Sequence, residues 1–564
     1  MSVRTKVLFA ALALLPSAAA LAVPAAPTPS FDISRVTEDV RTLSSDAFEG
    51  RGPATPAETR TVAYIVARMK AAGLQPGGEL KGKTRAWTQN VPLLQSSIVG
   101  TPALSLSGMA DAHAPRTLTQ GQEIAVRAAL NGDSRVAIRN APLVFVGYGV
   151  KAPERNWDDF KGVDLRGKIL VVLINDPDFE AKGEPGEGDF GGKTMTYYGR
   201  WTYKYEEAAR QGALGTLIVH EYAPASYGWP TVRNSNTNTM FDIVRKDPKA
   251  AHAPLEAWIQ RDLAESLFRA SGLDFEAMKA AARHRDFRPV ELKPTLSADY
   301  AVKPVVIVSH NVLGRLPGRA HPNESVIYSG HWDHLGIGAP DARGDRIYNG
   351  ARDNASGIAM LLELGRAFAA APRTDRSLVF LAVTAEEKGL LGSEYYASNP
   401  VWPAATTAGV INMDSTIGEG AARDFTISGV ARLGLLDLLV EQGRALGRAY
   451  TPDPRTEAGG FYRSDHFSFA KQGVPALSFG TGRDLVRGGV ERGRALSDAY
   501  TKDRYHQPAD EWSADWDMSG VAPDLTLLYR TGRALADSRA WPNWSSDSEF
   551  RATRDKSAAA RGGR

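Results

Sequence analysis

Ser325 to Asp353 reads SVIYSGHWDHLGIGAPDARGDRIYNGARD, and the interpretation of this stretch decides the fold. Val326-Ile327-Tyr328 is a short apolar run of the kind that forms a buried strand. It stops at Gly330 and delivers His331-Trp332-Asp333. Alternation along an extended chain puts His331 and Asp333 on one side. A carboxylate there can fix the tautomer of an imidazole whose other nitrogen binds a metal. Asp353 follows, within Gly350-Ala351-Arg352-Asp353-Asn354-Ala355-Ser356-Gly357, at the mouth of an expected helix. Taken singly, a His-x-Asp is ordinary hydrogen bonding and an Asp-Asn pair an ordinary helix cap. Their weight comes from partners elsewhere in the chain.

Working outward toward the C-terminus, three more apolar runs follow: Leu378 to Val383, Val410 to Met413 and Ala476 to Phe479. Such near-continuous hydrophobicity suits strands covered on both faces. Helices are expected at Ile358 to Phe368 and Leu433 to Leu446. The alternation predicts an α/β fold with a mixed, mostly parallel central sheet flanked by helices, whose ligands gather at the carboxyl ends of strands. The second run ends in Thr384-Ala385-Glu386-Glu387 and the third in Asn412-Met413-Asp414; Tyr505-His506-Gln507-Pro508-Ala509-Asp510 comes late in the same domain. This set of imidazoles and carboxylates suits zinc. Two zinc ions about 3.5–4 Å apart need a carboxylate that bridges them. Asp353 is the natural bridge, with His331 and Asp414 on one ion and Glu387 and His506 on the other. Glu386 is left beside the metals as a general base, able to take a proton from water and return it to a leaving amine. Asp333 and Asp510 are expected behind the ligands.

These five ordered motifs resemble the M28 family of zinc metallopeptidases, which includes secreted bacterial aminopeptidases and the glutamate carboxypeptidases. The resemblance covers about Asp32 to Trp544. It implies the zinc exopeptidase fold, two zinc ions per chain, the ligand and base assignments above, and peptide substrates. It further implies that Tyr505, just before the last histidine ligand, stabilises the oxyanion. Arg352 departs from the small or acidic residue often found before the bridging Asp. The implied activity is removal of N-terminal residues. A carboxypeptidase of the glutamate carboxypeptidase type is the alternative, for which Arg352 and Arg463 would supply the fork that holds a terminal carboxylate. A single-zinc glutaminyl cyclase and a non-catalytic binding protein are the remaining alternatives; the filled set of ligands and Glu386 argue against both. His334 and His466 are read as hydrogen-bonding residues. Ser464-Asp465-His466 invites a serine-hydrolase reading, but no Gly-x-Ser-x-Gly elbow accompanies it.

The rest of the 564 residues supports a chain of two or three domains. Hydrophobic residues at 43% and charged residues at 23% are those of a globular protein with ample core. A net charge of +3 gives no reason to expect nucleic acid or an anionic membrane. Arg4 and Lys6, the apolar run Val7 to Leu15 and Ala20-Leu21-Ala22 predict a signal peptide over residues 1–22, cleaved near Ala22, with no stable membrane insertion. With no cysteine in the chain there is no disulfide framework, and a periplasmic or secreted bacterial enzyme is expected. Asp32 or Ser34 can cap a first helix. Val62, Ile65, Val66 and Met69 mark a second. The peptidase domain is expected over residues 31–98 and 298–545. Between them, residues 99–297 change to short apolar runs such as Leu143 to Gly149, Lys168 to Ile174 and Gly215 to Val219, none followed by a His/acidic cluster. This reads as an insert that shapes access to the site without supplying ligands. Around Phe145 to Gly149 and Leu165 to Leu173 it resembles the β-rich protease-associated (PA) domain. Residues 546–564 are expected to be a flexible basic tail. Oligomeric state is left open.

Overall fold

The computed structural model describes residues 28–109, 114–184 and 186–561. The signal peptide expected at residues 1–22 lies outside the described residues. Asp32, rather than Ser34, caps the first helix, Ile33–Leu43, its carboxylate accepting the backbone N–H of Ser34 and Arg35. That helix buries Val36, Val40 and Leu43, and the next, Pro56–Ala71, buries Ile65 and Met69 against the same core.

A 20-residue strand, β1 (Thr88–Ser107), carries the chain out of this core. The insert then contributes β2 (Arg135–Phe145), β3 (Ile169–Leu173), β4 (Gly215–His220) and β5 (Leu255–Gln260). These lie side by side in that order, each parallel to the next. The chain returns through β6 (Val290–Leu316), 27 residues long and antiparallel to β1 over most of its length. The catalytic part follows with β7 (His321–His331), β8 (Arg376–Val383), β9 (Thr407–Met413), β10 (Asp424–Ile427) and β11 (Ala476–Thr481). Their order is β10-β11-β9-β7-β8, and β8 joins the end of β6, so one mixed sheet runs through both parts of the chain. The pairs β11–β9, β9–β7 and β7–β8 are parallel; β10–β11 and β8–β6 are antiparallel.

The two largest apolar clusters among the described residues sit on this sheet. One joins Tyr328, Phe368, Phe380 and Leu528; the other joins Phe145, Leu217, Phe268 and Leu296. β6 feeds both, with Val312 and Leu316 in the first and Leu296 and Val302 in the second. The borders read at residues 99 and 297 therefore fall inside paired strands, not in linkers. The insert carries helices as well as strands, among them Trp201–Arg210 and Arg261–Ala270.

The C-terminal segment is docked where a free tail was expected. Arg551–Lys556 is helical and Arg554 is buried. Its guanidinium donates to the Thr407 carbonyl at 3.0 Å, and Arg561 donates to the Ala405 carbonyl at 3.3 Å. Basic composition suggested solvation, but carbonyls at the start of β9 supply partners that a local reading cannot see. Among the described residues no helix is long and apolar enough to cross a membrane.

Candidate metal centre

Three neighbouring parallel strands deliver acids and an imidazole at their carboxyl ends. His331 is the last residue of β7, Glu386 and Glu387 follow β8, and Asp414 directly follows β9. Asp353 comes from the turn before the helix Ser356–Ala370, and His506 from the loop after the helix Gly489–Asp503. Gly350 makes the first of these turns possible. Its φ is +56°, and a Cβ there would lie 2.5 Å from the His334 ring and 2.3 Å from the Asp353 carbonyl oxygen.

The site closes around Asp353. Its Oδ1 lies 3.2 Å from His331 Nε2 and its Oδ2 lies 3.3 Å from His506 Nε2. On the His331 side, Asp414 Oδ1 is 3.4 Å from the same nitrogen. On the other, Glu387 Oε2 is 2.9 Å from His506 Nε2. Glu386 Oε2 stands 4.0 Å from His331 Nε2, between the two sets. The five expected ligands and the expected base are thus brought together.

Fit to a cation can be judged from the donors themselves. His331 Nε2, both ring nitrogens of His334 and Glu387 Oε1 are buried without a hydrogen-bond partner. Ligand atoms of His331, Asp353 and Asp414 lie within 4.8 Å of one another, as do those of His334, Asp353 and Glu387. Buried, unpaired lone pairs that converge in this way fit a divalent metal, and the mixed N/O set suits zinc.

His334 is the residue that sequence reasoning undervalued. It was expected to be a hydrogen-bonding residue, yet its Nδ1 faces Glu387 Oε1 at 2.5 Å without hydrogen-bond geometry. The turn at Gly350 is what brings its ring into the cluster. His466 also departs from expectation: it is buried against the edge of Phe461 and neither nitrogen has a partner, so burial lowers its pKa to about 3. Ser464 is no nucleophile of a triad, because its hydroxyl donates to Asp414 Oδ2 at 2.7 Å.

Asp333 differs in detail from its expected part. The His331 Nδ1–H donates to the Asp333 carbonyl at 3.1 Å, while the carboxylate lies 3.7 Å away. β7 stops pairing at His331, so alternation no longer holds at Asp333. The carboxylate instead accepts the backbone N–H of Glu386 at 3.0 Å and of Glu387 at 3.4 Å. Asp510 does the same for the bridge, accepting from Arg352 and Asp353 at 3.1 and 3.0 Å. Arg51 had no sequence signal. Its buried guanidinium donates to the carbonyls of Leu43, Trp332, Asn349 and Gly350, tying the first helix to both ligand-bearing turns. The insert supplies no ligand among the described residues, yet Ser235 Oγ lies 2.8 Å from His506 Nδ1 and Asn234 donates to the His506 carbonyl at 3.0 Å.

Charge is distributed unevenly across the cluster. Burial pushes the Glu386 carboxyl well above its ordinary range, with His331 opposing and Glu387 and Asp414 adding to the effect. Burial acts in the same sense on Asp353, but His331 and His506 outweigh it and hold that carboxylate far below its ordinary value. Tyr505 stacks on His506 with ring centroids 3.9 Å apart, and its hydroxyl accepts from Arg463 Nη2 at 3.2 Å. Arg352 pairs with Glu419 and lies 4.4 Å from the Tyr500 ring centroid, so one arm of the fork expected from Arg352 and Arg463 is already engaged by an acid.

Residues 311–529 match the model of Peptidase family M28. This part of the chain is an M28 peptidase domain. Probable zinc metalloproteases of fungi are similar to it: one from Pyrenophora teres f. teres is 31% identical over 162 residues, 28% of this chain and 33% of the relative. Another, from Pyricularia oryzae, is 35% identical over 117 residues, 20% and 23% of the two chains. The chain thus spans a third or less of the length of these relatives. The M28 domain and the insert together share their fold with an aminopeptidase from Aneurinibacillus sp. strain AM-1, at a TM-score of 0.52 and 19% identity, covering 90% of this chain and 94% of that one.

Proposed function

We propose that this chain is a co-catalytic two-zinc exopeptidase that releases N-terminal residues from peptides. The observation that carries the reading is Asp353, which presents one carboxylate oxygen to each of two imidazoles, 3.2 and 3.3 Å away, on opposite sides. A bridge of this form serves two ions. His331 and Asp414 would hold one, and Glu387 and His506 the other. Zinc bound there supplies Lewis acidity, which polarises a carbonyl and acidifies water.

The chain's own groups do the rest. Glu386, buried and held by the backbone contact with Asp333, takes the proton of the attacking water and returns it to the departing amine. Because Arg463 donates to the Tyr505 oxygen, the tyrosine's own proton is free to point into the cleft and stabilise the oxyanion. The insert is read as a PA-like module that closes one side of the cleft, and the leader of residues 1–22 as an export signal.

A carboxypeptidase would hold its substrate's terminal carboxylate with a guanidinium fork. Engagement of Arg352 by Glu419 weighs against the fork first expected. The similarity of the fold to an aminopeptidase is consistent with the same choice. The test uses tetrapeptides with the zinc-loaded protein. N-acetylation is expected to abolish cleavage and C-terminal amidation to change it little; the reverse pattern makes the chain a carboxypeptidase.

A further inference from the structure

A groove of about 1,040 Å³ runs between the insert and the docked C-terminal segment. The insert lends it Phe190, Tyr197 and Tyr198, the M28 domain Tyr462, and the C-terminal segment Glu549 and Phe550. Tyr197, Tyr198, Tyr462 and Phe550 are only half-buried, so aromatic surface stays open along the groove. Contiguous open apolar surface rimmed by polar groups marks a binding site, where scattered exposure does not. The rings are held in place. Tyr197 donates to Glu206 Oε1 at 2.6 Å and Tyr198 to Glu154 Oε1 at 2.7 Å, and Phe190 meets Tyr198 edge-on with centroids 5.9 Å apart.

Five carboxylates and four cations line the groove. Glu154, Glu207 and Asp547 pair with Arg155, Arg210 and Arg432, and Lys151 is exposed. Glu206 is taken by Tyr197. Glu549 is left over, with no hydrogen bond or ion pair among the described residues; its charged neighbours are Arg155 and Glu154, which already pair with each other. Tyr198 and Tyr462 both lie within range of its charge. A free carboxylate beside open aromatic faces suits a cation, which gains from the acid and from the negative face of each ring. The groove is also continuous with the catalytic cleft: Tyr197, Glu206 and Tyr462 line both, and Glu386 opens into that cleft. A peptide whose N-terminus lies at the metal centre must send its remaining residues outward, and the groove is a path for them.

We propose that this groove holds the downstream part of longer peptide substrates, and that Glu549, with Tyr198 and Tyr462, receives a lysine or arginine side chain there. The inference rests on the exopeptidase reading for the reaction and adds a substrate class to it: oligopeptides with a cation several residues beyond the scissile bond. Dipeptides stop short of the groove and gain nothing from it.

The experiment measures kcat and KM of the full zinc-loaded chain on two peptide series, Ala-Ala-(Gly-Ser)n-Lys-amide and Ala-Ala-(Gly-Ser)n-Glu-amide, with n from zero to four, and on Ala-Ala-amide. At one or more spacings the lysine peptide should exceed its glutamate counterpart by about fivefold or more in kcat/KM, through KM, as a cation held by a ring face and an acid allows. Glu549→Gln should reduce that preference to about twofold or less. Glu549→Lys should turn it toward the glutamate peptide, and both variants should leave Ala-Ala-amide unchanged. Equal KM for the two series at every spacing overturns the proposal, as does a lysine preference that survives in Glu549→Lys. Calorimetric titration of zinc-loaded Glu386→Gln with the same peptides reads the groove without turnover. Tighter binding of the lysine peptide supports it even if the wild type hydrolyses nothing, a result that defeats the exopeptidase reading alone; equal binding of both series overturns the groove.

Discussion

At the scale of single residues, Glu386 and Asp353 sit within one cluster yet are assigned opposite duties. Glu386 lies 4.0 Å from His331 Nε2, outside the tightest contacts, whereas Asp353 touches both imidazoles. Glu386→Gln should keep about two zinc ions and lose roughly 10²–10⁴-fold in kcat, the range of general-base catalysis. Asp353→Ala should lose zinc itself. Metal analysis beside turnover separates the two, and near-normal turnover in metal-loaded Glu386→Gln would refute the base assignment. The residue types and order were legible in the sequence because His331, Glu386, Glu387 and Asp414 follow apolar runs and Asp353 and His506 sit in short motifs between them. Arg51 was not, since its role exists only where four carbonyls from distant segments meet.

At the scale of elements, the strand Met240–Ile243 and β5 are cross-linked by one imidazole. His252 lies 2.9 Å from Asp242 Oδ2 and 2.8 Å from Glu256 Oε1, and these acids also face Arg245 and Arg127 respectively. Burial alone would lower the His252 pKa, but Glu256 and Asp242 outweigh it and raise it to about 9. A pKa raised on folding contributes stability that is complete below the ordinary value near 6.5 and disappears as pH rises through 9. The contribution is at most about 3.5 kcal/mol, at roughly 1.4 kcal/mol per tenfold change. Urea unfolding between pH 6 and 9.5, followed by tryptophan fluorescence, should show this loss in the wild type. His252→Gln should flatten it, and an unchanged slope would remove His252 as its source. Strand positions themselves were readable from apolar runs. Their ends were less so: the run read to Gly149 stops pairing at Phe145, because Gly147 and Gly149 turn the chain at positive φ.

For the whole molecule, the insert is more than a wall beside the cleft. Ser235 fixes the ring of His506, and a partner on a ligand's second nitrogen is worth about 10–100-fold in metal affinity. Ser235→Ala should therefore weaken zinc binding by about tenfold while leaving all five ligands in place, measured by competition with a chelator. Unchanged affinity would return the insert to a role in access alone. The expectation that the insert bears only on access came from the absence of His/acidic clusters in residues 99–297, a true observation that says nothing about hydroxyls and amides.

The sequence by itself determined the α/β class, the order of the ligand-bearing strands, and the acids and imidazoles of the cluster other than His334. Those depend on hydrophobic runs and on short motifs after or between them, both local properties of the chain. Tertiary structure alone decided that Asp333 serves the Glu386 turn, that His334 enters the cluster, and that Arg352 is taken by Glu419. Each of these depends on which polar atom meets which across tens to hundreds of residues, and hydrogen-bond and charge pairing of that kind leaves no periodic trace in the sequence.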